Sequence, residues 1–140
     1  VGDAGDAATY RSLNTAFRLL MDGAELIALE KDRYWMAQDG LSLSAGPFVS
    51  ALEFAAGKEA LIMGKPSRTF FELALNDMNL VPEQAAMIGD DLYTDVGGAQ
   101  TAGMAGILVR TGKYREEILR DSTIDPDAIL DSIASIKEIV

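Results

Sequence analysis

The sequence predicts an α/β fold built on a parallel sheet. Short apolar runs that read as buried strands, at 23–30, 59–63, 85–88 and 105–109, alternate with segments of helical periodicity. That alternation is the signature of βαβ units, whose strands run parallel. Composition permits the core such a fold needs: 49% of residues are apolar and 24% charged, ordinary globular usage. The 140 residues fall within the span of one domain, about 100–200 residues.

In chain order, Thr9 to Asp22 reads as a helix, with Leu13, Phe17, Leu20 and Met21 at helical spacing and Gly23 just past its end. GAELIALE (Gly23–Glu30) is a buried strand. KDRYWMAQDG (Lys31–Gly40) is polar and aromatic, ends in an Asp-Gly turn signal and reads as irregular. A second helix starts at Gly46-Pro47, where proline's missing N–H costs nothing. Phe48, Val49, Leu52, Ala55 and Ala56 form its inner face and Gly57 stops it. EALIM (Glu59–Met63) is a strand that runs into GKPS. Ser67 caps a helix carrying Phe70, Phe71, Leu73, Ala74, Leu75 and Met78. Pro82 breaks the chain before the strand AAMI (Ala85–Ile88). An acidic loop follows, then a short helix from about Thr94 to Thr101 and the strand AGILV (Ala105–Val109). RTGKY is loop and REEIL opens a brief helix. The tail 125–140 reads either as one helix or as a short strand at Ala128–Leu130 followed by a helix capped by Asp131 or Ser132.

The bulk numbers exclude several chemistries. Twelve basic and 22 acidic residues leave a net charge of −10, which argues against nucleic acid and anionic membrane, since both reward clustered Lys and Arg. Without cysteine there is no disulfide and no thiolate metal site. Without histidine the usual general base and zinc ligand are gone. Any catalysis must run on carboxylates, lysine, hydroxyls or a hard cation. No apolar run reaches the roughly 20 residues that span a bilayer and no signal peptide is visible, so a cytoplasmic protein is expected.

One loop concentrates the chemistry. MIGDDLYTDVGGAQTAG (Met87–Gly103) places Asp90, Asp91 and Asp95 directly after an apolar run. In an open parallel sheet the loops at the carboxyl ends of strands share one edge, where sites are built. The loop after Glu59–Met63 brings Lys65 to that edge. Carboxylates with a lysine and no histidine point to a hard cation and a phosphate. Mg²⁺ takes oxygen ligands and is commonly held by one or two carboxylates plus phosphate oxygens. Lysine serves a phosphate as a compact point charge. Asp95 also suits a helix start, and Asp91 and Lys65 singly would be ordinary surface residues; the combination is what points to a site.

At these residues a resemblance enters. GKPSRTFFELAL and AAMIGDDLYTDVGGAQTAGMAGILVRTGKY resemble the carboxyl-terminal part of a haloacid dehalogenase (HAD) superfamily phosphohydrolase, in particular the subgroup with a C2-type cap that includes the NagD-like phosphatases. The resemblance implies a Rossmann-like parallel sheet, with residues 1–44 the end of the cap and 45–140 the carboxyl-terminal part of the hydrolase core. It implies that Lys65 contacts the phosphate and steadies the nucleophile's charge. It implies that Asp90 is a direct Mg²⁺ ligand and that Asp95 orients the lysine or metal-bound water, with Asp91, beside Asp90, a further candidate for the metal site. The reaction implied is phosphomonoester or related phosphate hydrolysis through an aspartyl-phosphate, on a small phosphorylated substrate, in a homodimer formed through the cap.

The departure from the family is at the start. Such proteins begin with a DxDGT-like strand end that carries the nucleophile, followed by a Ser/Thr motif. DAGDAAT (Asp3–Thr9) fails as that motif, because its aspartates are three apart and no apolar strand precedes it. The chain, which opens on Val1, is therefore expected to be a fragment that begins inside the cap and is inactive alone. Two other readings remain: a truncated, non-catalytic HAD-like module acting in binding or assembly, and a phosphoacceptor receiver domain. Chain order disfavours the receiver, since Lys65 precedes the acidic pair.

Overall fold

The computed structural model describes residues 1–2 and 5–138, so Asp3 of DAGDAAT and the last two residues lie outside the described residues. The chain folds as two compact units, 1–64 and 65–140.

In the first unit, helix α1 (Tyr10–Met21) begins at Thr9, whose hydroxyl accepts the Ser12 N–H while Ser12 Oγ accepts the Thr9 N–H. This reciprocal cap satisfies two donors that the first turn would otherwise leave open. Strand β1 is only Ile27–Ala28, shorter than the apolar run suggests, and pairs in parallel with β4 (Leu61–Ile62). Helix α2 (Gly46–Ala56) has Pro47 in its first turn and ends at Gly57, whose φ is +62°. Leu20, Leu26, Ala28, Val49 and Leu52 form the core of this unit, flanked by Leu13, Phe17 and Ile62. Helix α2 and strand β4 thus pack with α1 and β1 in this unit.

The segment expected to be irregular holds an antiparallel hairpin, β2 (Tyr34–Ala37) and β3 (Gly40–Leu43). The Asp39-Gly40 signal marks its turn, with Gly40 at φ +134°. Tyr34, Trp35 and Met36 favour extended backbone, and pairing with β3 supplies what local reading lacked. Register puts Tyr34 opposite Leu43 and Met36 opposite Leu41, so one face of the hairpin is apolar, and all four side chains are exposed. At the hairpin's base the Glu30 carboxylate accepts Ser44 Oγ and the Ala45 N–H at 2.7 and 2.8 Å.

The second unit contains a three-stranded parallel sheet in the order β5 (Ala86–Gly89), β6 (Ala105–Val109), β7 (Ala128–Leu130). Alternate residues of β6 serve opposite faces. Leu108 packs with Leu92 and Val96, flanked by Ile118, Leu119 and Ile124. Ile107 and Val109 pack with Leu130, flanked by Ile88 and Ile136. Burial on both faces is what parallel strands require. Helix α3 (Arg68–Met78) starts at Ser67 without a side-chain capping bond and inserts Phe71 and Leu75 against Ala99, Ala102 and Met104. Asp127 fastens the start of β7, accepting the Gly106 N–H and Gln100 Nε2. The tail resolves as strand plus a 3₁₀ turn at Ile133–Glu138, where Ser132 Oγ accepts the Ala134 N–H. Helix α5 (Glu116–Asp121) occupies the expected REEIL stretch.

Between β5 and β6 lies one departure. The helix expected from about Thr94 begins at Leu92 as a π-helical turn (Leu92–Gly97), continuing as α4 (Gly98–Thr101). Its N-cap is Asp91, whose Oδ1 accepts the N–H groups of Tyr93 and Thr94 at 3.1 and 3.0 Å. Asp95, which suits a cap by its position in sequence, is instead buried at 3% exposure.

Candidate active site

β5 and β6 are parallel, so the loops that leave their carboxyl ends lie on one edge of the second unit. The first loop carries Asp90 and Asp91; the second, 110–114, carries Gly112 and Lys113. Lys65 opens this unit.

The crowding of three aspartates is relieved by two lysines, each on a different carboxylate. Lys65 Nζ sits 2.6 Å from Asp95 Oδ1, and the other oxygen of Asp95 accepts the Asp91 N–H at 3.1 Å. Gly89 lies against this carboxylate so closely that a side chain there would collide with it. Lys113 Nζ sits 3.1 Å from Asp91 Oδ2, and the other oxygen of Asp91 caps the π turn. Asp90 is held differently. Its Oδ2 accepts the backbone N–H of Lys113 at 2.6 Å, while its Oδ1 takes no hydrogen bond from any described residue.

The three carboxylates are therefore not equivalent. Asp95 and Asp91 have both oxygens engaged with the protein. Of the three, only Asp90 has an oxygen that accepts no hydrogen bond from a described residue. Among the described residues no group of three or more His, Cys, Asp and Glu side chains is placed to hold a metal ion; the carboxylate that offers an oxygen here is Asp90. A hard cation fits that donor set: one fixed carboxylate with an open oxygen suits Mg²⁺, which keeps several waters and needs few protein ligands.

The structure thus brings Lys65, Asp91 and Asp95 into one hydrogen-bonded chain, with Asp90 joined through the Lys113 N–H. Sequence reasoning missed Lys113 and Gly112. The available signal was RTGKY itself, a loop after a predicted parallel strand and hence on the same edge as the acidic loop.

Asp91 carries a testable electrostatic consequence. Burial pushes its carboxyl up, but the Thr94 N–H, the Lys113 ammonium and the Tyr93 N–H outweigh that and hold it below the usual carboxylate range. A depressed folded value stabilises the fold above the ordinary Asp pKa, and that stability is lost as pH falls through the folded value. Asp91→Ala should cost about 1 kcal/mol at neutral pH from the lost cap. The difference from wild type should shrink as pH drops below about 4, where Asp91 protonates first in the unfolded chain and only at lower pH in the folded one. Urea unfolding at several pH values checks this; a difference that stays constant down to acid would contradict it.

Comparison with known proteins gives the family. The HAD-hydrolase-like family model matches residues 62–136, a span that includes all of the residues above. The chain belongs to this family. It is 56% identical over 115 residues to mouse haloacid dehalogenase-like hydrolase domain-containing protein 2, covering 82% of the chain and 44% of that protein. Among solved structures, a 4-nitrophenylphosphatase from Thermotoga maritima superposes with a TM-score of 0.89 at 31% identity, over 98% of this chain and 52% of that one. A glycerol phosphate phosphatase from Mycobacterium tuberculosis, solved in complex with magnesium, superposes with a TM-score of 0.79 at 26% identity, over 89% of this chain and 38% of that one. The expected α/β fold with parallel strands is thus shown by this HAD-like chain and its structural relatives alike. The chain spans about half the length of the curated relatives it matches. No described helix is long and apolar enough to cross a membrane.

Proposed function

We propose that this chain supplies the charge-stabilising part of the active site of an Mg²⁺-dependent phosphatase. The observation that carries the reading is the division among the aspartates: two are neutralised by lysines, and Asp90 is held through one oxygen while the other accepts nothing from the described residues. In this reading Asp90 binds Mg²⁺ directly, Asp95 holds Lys65 in place, and Lys65 faces the phosphate of a small phosphorylated substrate. Asp91 serves the architecture by capping the π turn. When bound, Mg²⁺ neutralises charge on the transferring phosphoryl group. The nucleophile is an aspartate from outside these 140 residues: its carboxylate attacks phosphorus as the P–O bond to the leaving alcohol breaks, and water then cleaves the aspartyl-phosphate to release inorganic phosphate. Residues 1–44 are the end of a C2-type cap that selects the substrate, and 45–140 are the carboxyl-terminal part of the hydrolase core. The relatives named as phosphatases support this reading.

The test is hydrolysis of p-nitrophenyl phosphate by the protein at its natural length. Activity should vanish with EDTA and return when Mg²⁺ is restored. Full activity in EDTA would sink the metal assignment. The reading includes a homodimer through the cap residues, supported by the exposed apolar face of Tyr34, Met36, Leu41 and Leu43. Sedimentation velocity would show a single monomeric species if that part is wrong.

A competing reading is a non-catalytic HAD-like module. An intact mass of the natural protein near 15.0 kDa, that of this chain, would support the module, and a mass near twice that would exclude it.

A further inference from the structure

The loop after β6 touches two of the three aspartates through one residue. The Lys113 backbone N–H donates to Asp90 Oδ2 at 2.6 Å, and the Lys113 ammonium pairs with Asp91 Oδ2 at 3.1 Å. The preceding residue, Gly112, has φ +51°, in the left-handed region, and a Cβ built on it would run into the Asp90 carboxylate. Three constraints thus act on one small volume. Glycine clears the space, the N–H that follows fixes one carboxylate oxygen, and the lysine side chain ties the loop to the neighbouring aspartate.

A carboxylate on a loop would otherwise rotate about its side-chain torsions and share its two oxygens among several contacts. Fixing Oδ2 by a backbone donor leaves a single oxygen with a set direction. A backbone donor cannot be lost by side-chain rotation, so the aim is built into the loop rather than into a rotamer. We propose that Gly112 and Lys113 are positioning residues: the Gly112–Lys113 turn is a latch that aims the open oxygen of Asp90 at the cation. This inference rests on the proposed Mg²⁺ role of Asp90. Groups that orient a metal-binding carboxylate from behind typically change metal affinity by about 10- to 100-fold when disturbed.

The experiment is calorimetric Mg²⁺ titration of the metal-stripped natural protein. Four forms are compared: wild type, Asp90→Asn, Gly112→Ala and Gly57→Ala. Gly57 has φ +62° and open space where a Cβ would go, so Gly57→Ala imposes similar backbone strain without touching a carboxylate. Asp90→Asn should abolish binding, Gly112→Ala should weaken it by about 10- to 100-fold, and Gly57→Ala should leave it unchanged. A second measurement guards against a Gly112→Ala protein that does not fold. In wild type the Lys113 amide proton should resonate downfield, move on adding Mg²⁺, and lose its downfield position in Asp90→Asn. If wild type binds no Mg²⁺, or Asp90→Asn binds it equally well, the metal reading falls and the latch falls with it. If Asp90→Asn loses binding while Gly112→Ala retains it, the metal reading stands and the latch is overturned. A Lys113 amide indifferent to both Mg²⁺ and Asp90→Asn also overturns the latch, as does a Gly57→Ala protein as weak as Gly112→Ala.

Discussion

Lys65→Met should lower phosphatase activity by about 100- to 1,000-fold, the usual loss when a preorganised charge stabiliser is removed, and should also weaken the fold. The second effect follows from Asp95. Its side chain is 4% exposed and its partner is Lys65 at 2.6 Å. Removing one member of a buried pair strands the other charge, at a cost of about 3–5 kcal/mol. Lys65 is itself 37% exposed, and Asp95 keeps the Asp91 N–H, so the low end, about 3 kcal/mol, is expected. The double variant Lys65→Met/Asp95→Asn separates the two roles. Asparagine removes the stranded charge, so it should recover part of the stability and none of the activity. Denaturant unfolding and p-nitrophenyl phosphate turnover on the same three proteins read both effects. If Lys65→Met keeps wild-type turnover, Lys65 does not face the phosphate.

Much of this arrangement was legible in the sequence, and what was not has a common cause. Strand β6 appears over the predicted residues, Ala105–Val109, because a run buried on both faces has no polar residue to mislead the reading. Helices α1 and α2 were bounded by local signals, Gly23 just past the end of α1 and Gly57 at the end of α2. The β2–β3 hairpin was missed because its residues are extended through pairing with each other, and Lys31–Gly40 by itself mixes polar and aromatic residues without a period. The same holds at the site. Lys65, Asp90 and Asp95 stand out because they sit in dense motifs, GKPS and GDDLYTD. Lys113 lies 22 residues beyond Asp91, and only the parallel pairing of β5 with β6 brings the two loops together.

The role of Asp91 illustrates the same point at shorter range. Sequence position makes Asp95 look like the residue at a helix start. The chain instead widens its first turn, with the N–H of both Asp95 and Val96 donating to the Asp91 carbonyl. Asp91 becomes the cap, and Asp95 is turned inward to meet Lys65. Such π-type turns are rare and often mark functional sites; here the turn is what gives adjacent acidic residues separate tasks.

The central claim is that Asp90 is the cation's ligand in a HAD-like phosphatase, and one substitution addresses it directly. Asp90→Asn keeps the size of the side chain and an oxygen able to accept the Lys113 N–H, and it removes the negative charge offered to the metal. Mg²⁺-dependent hydrolysis of p-nitrophenyl phosphate by the protein at its natural length, wild type against Asp90→Asn, is therefore the decisive measurement. The account predicts a rate at least about 100-fold lower in a variant whose thermal unfolding matches wild type. An unchanged rate and an unchanged Mg²⁺ requirement in Asp90→Asn would contradict it.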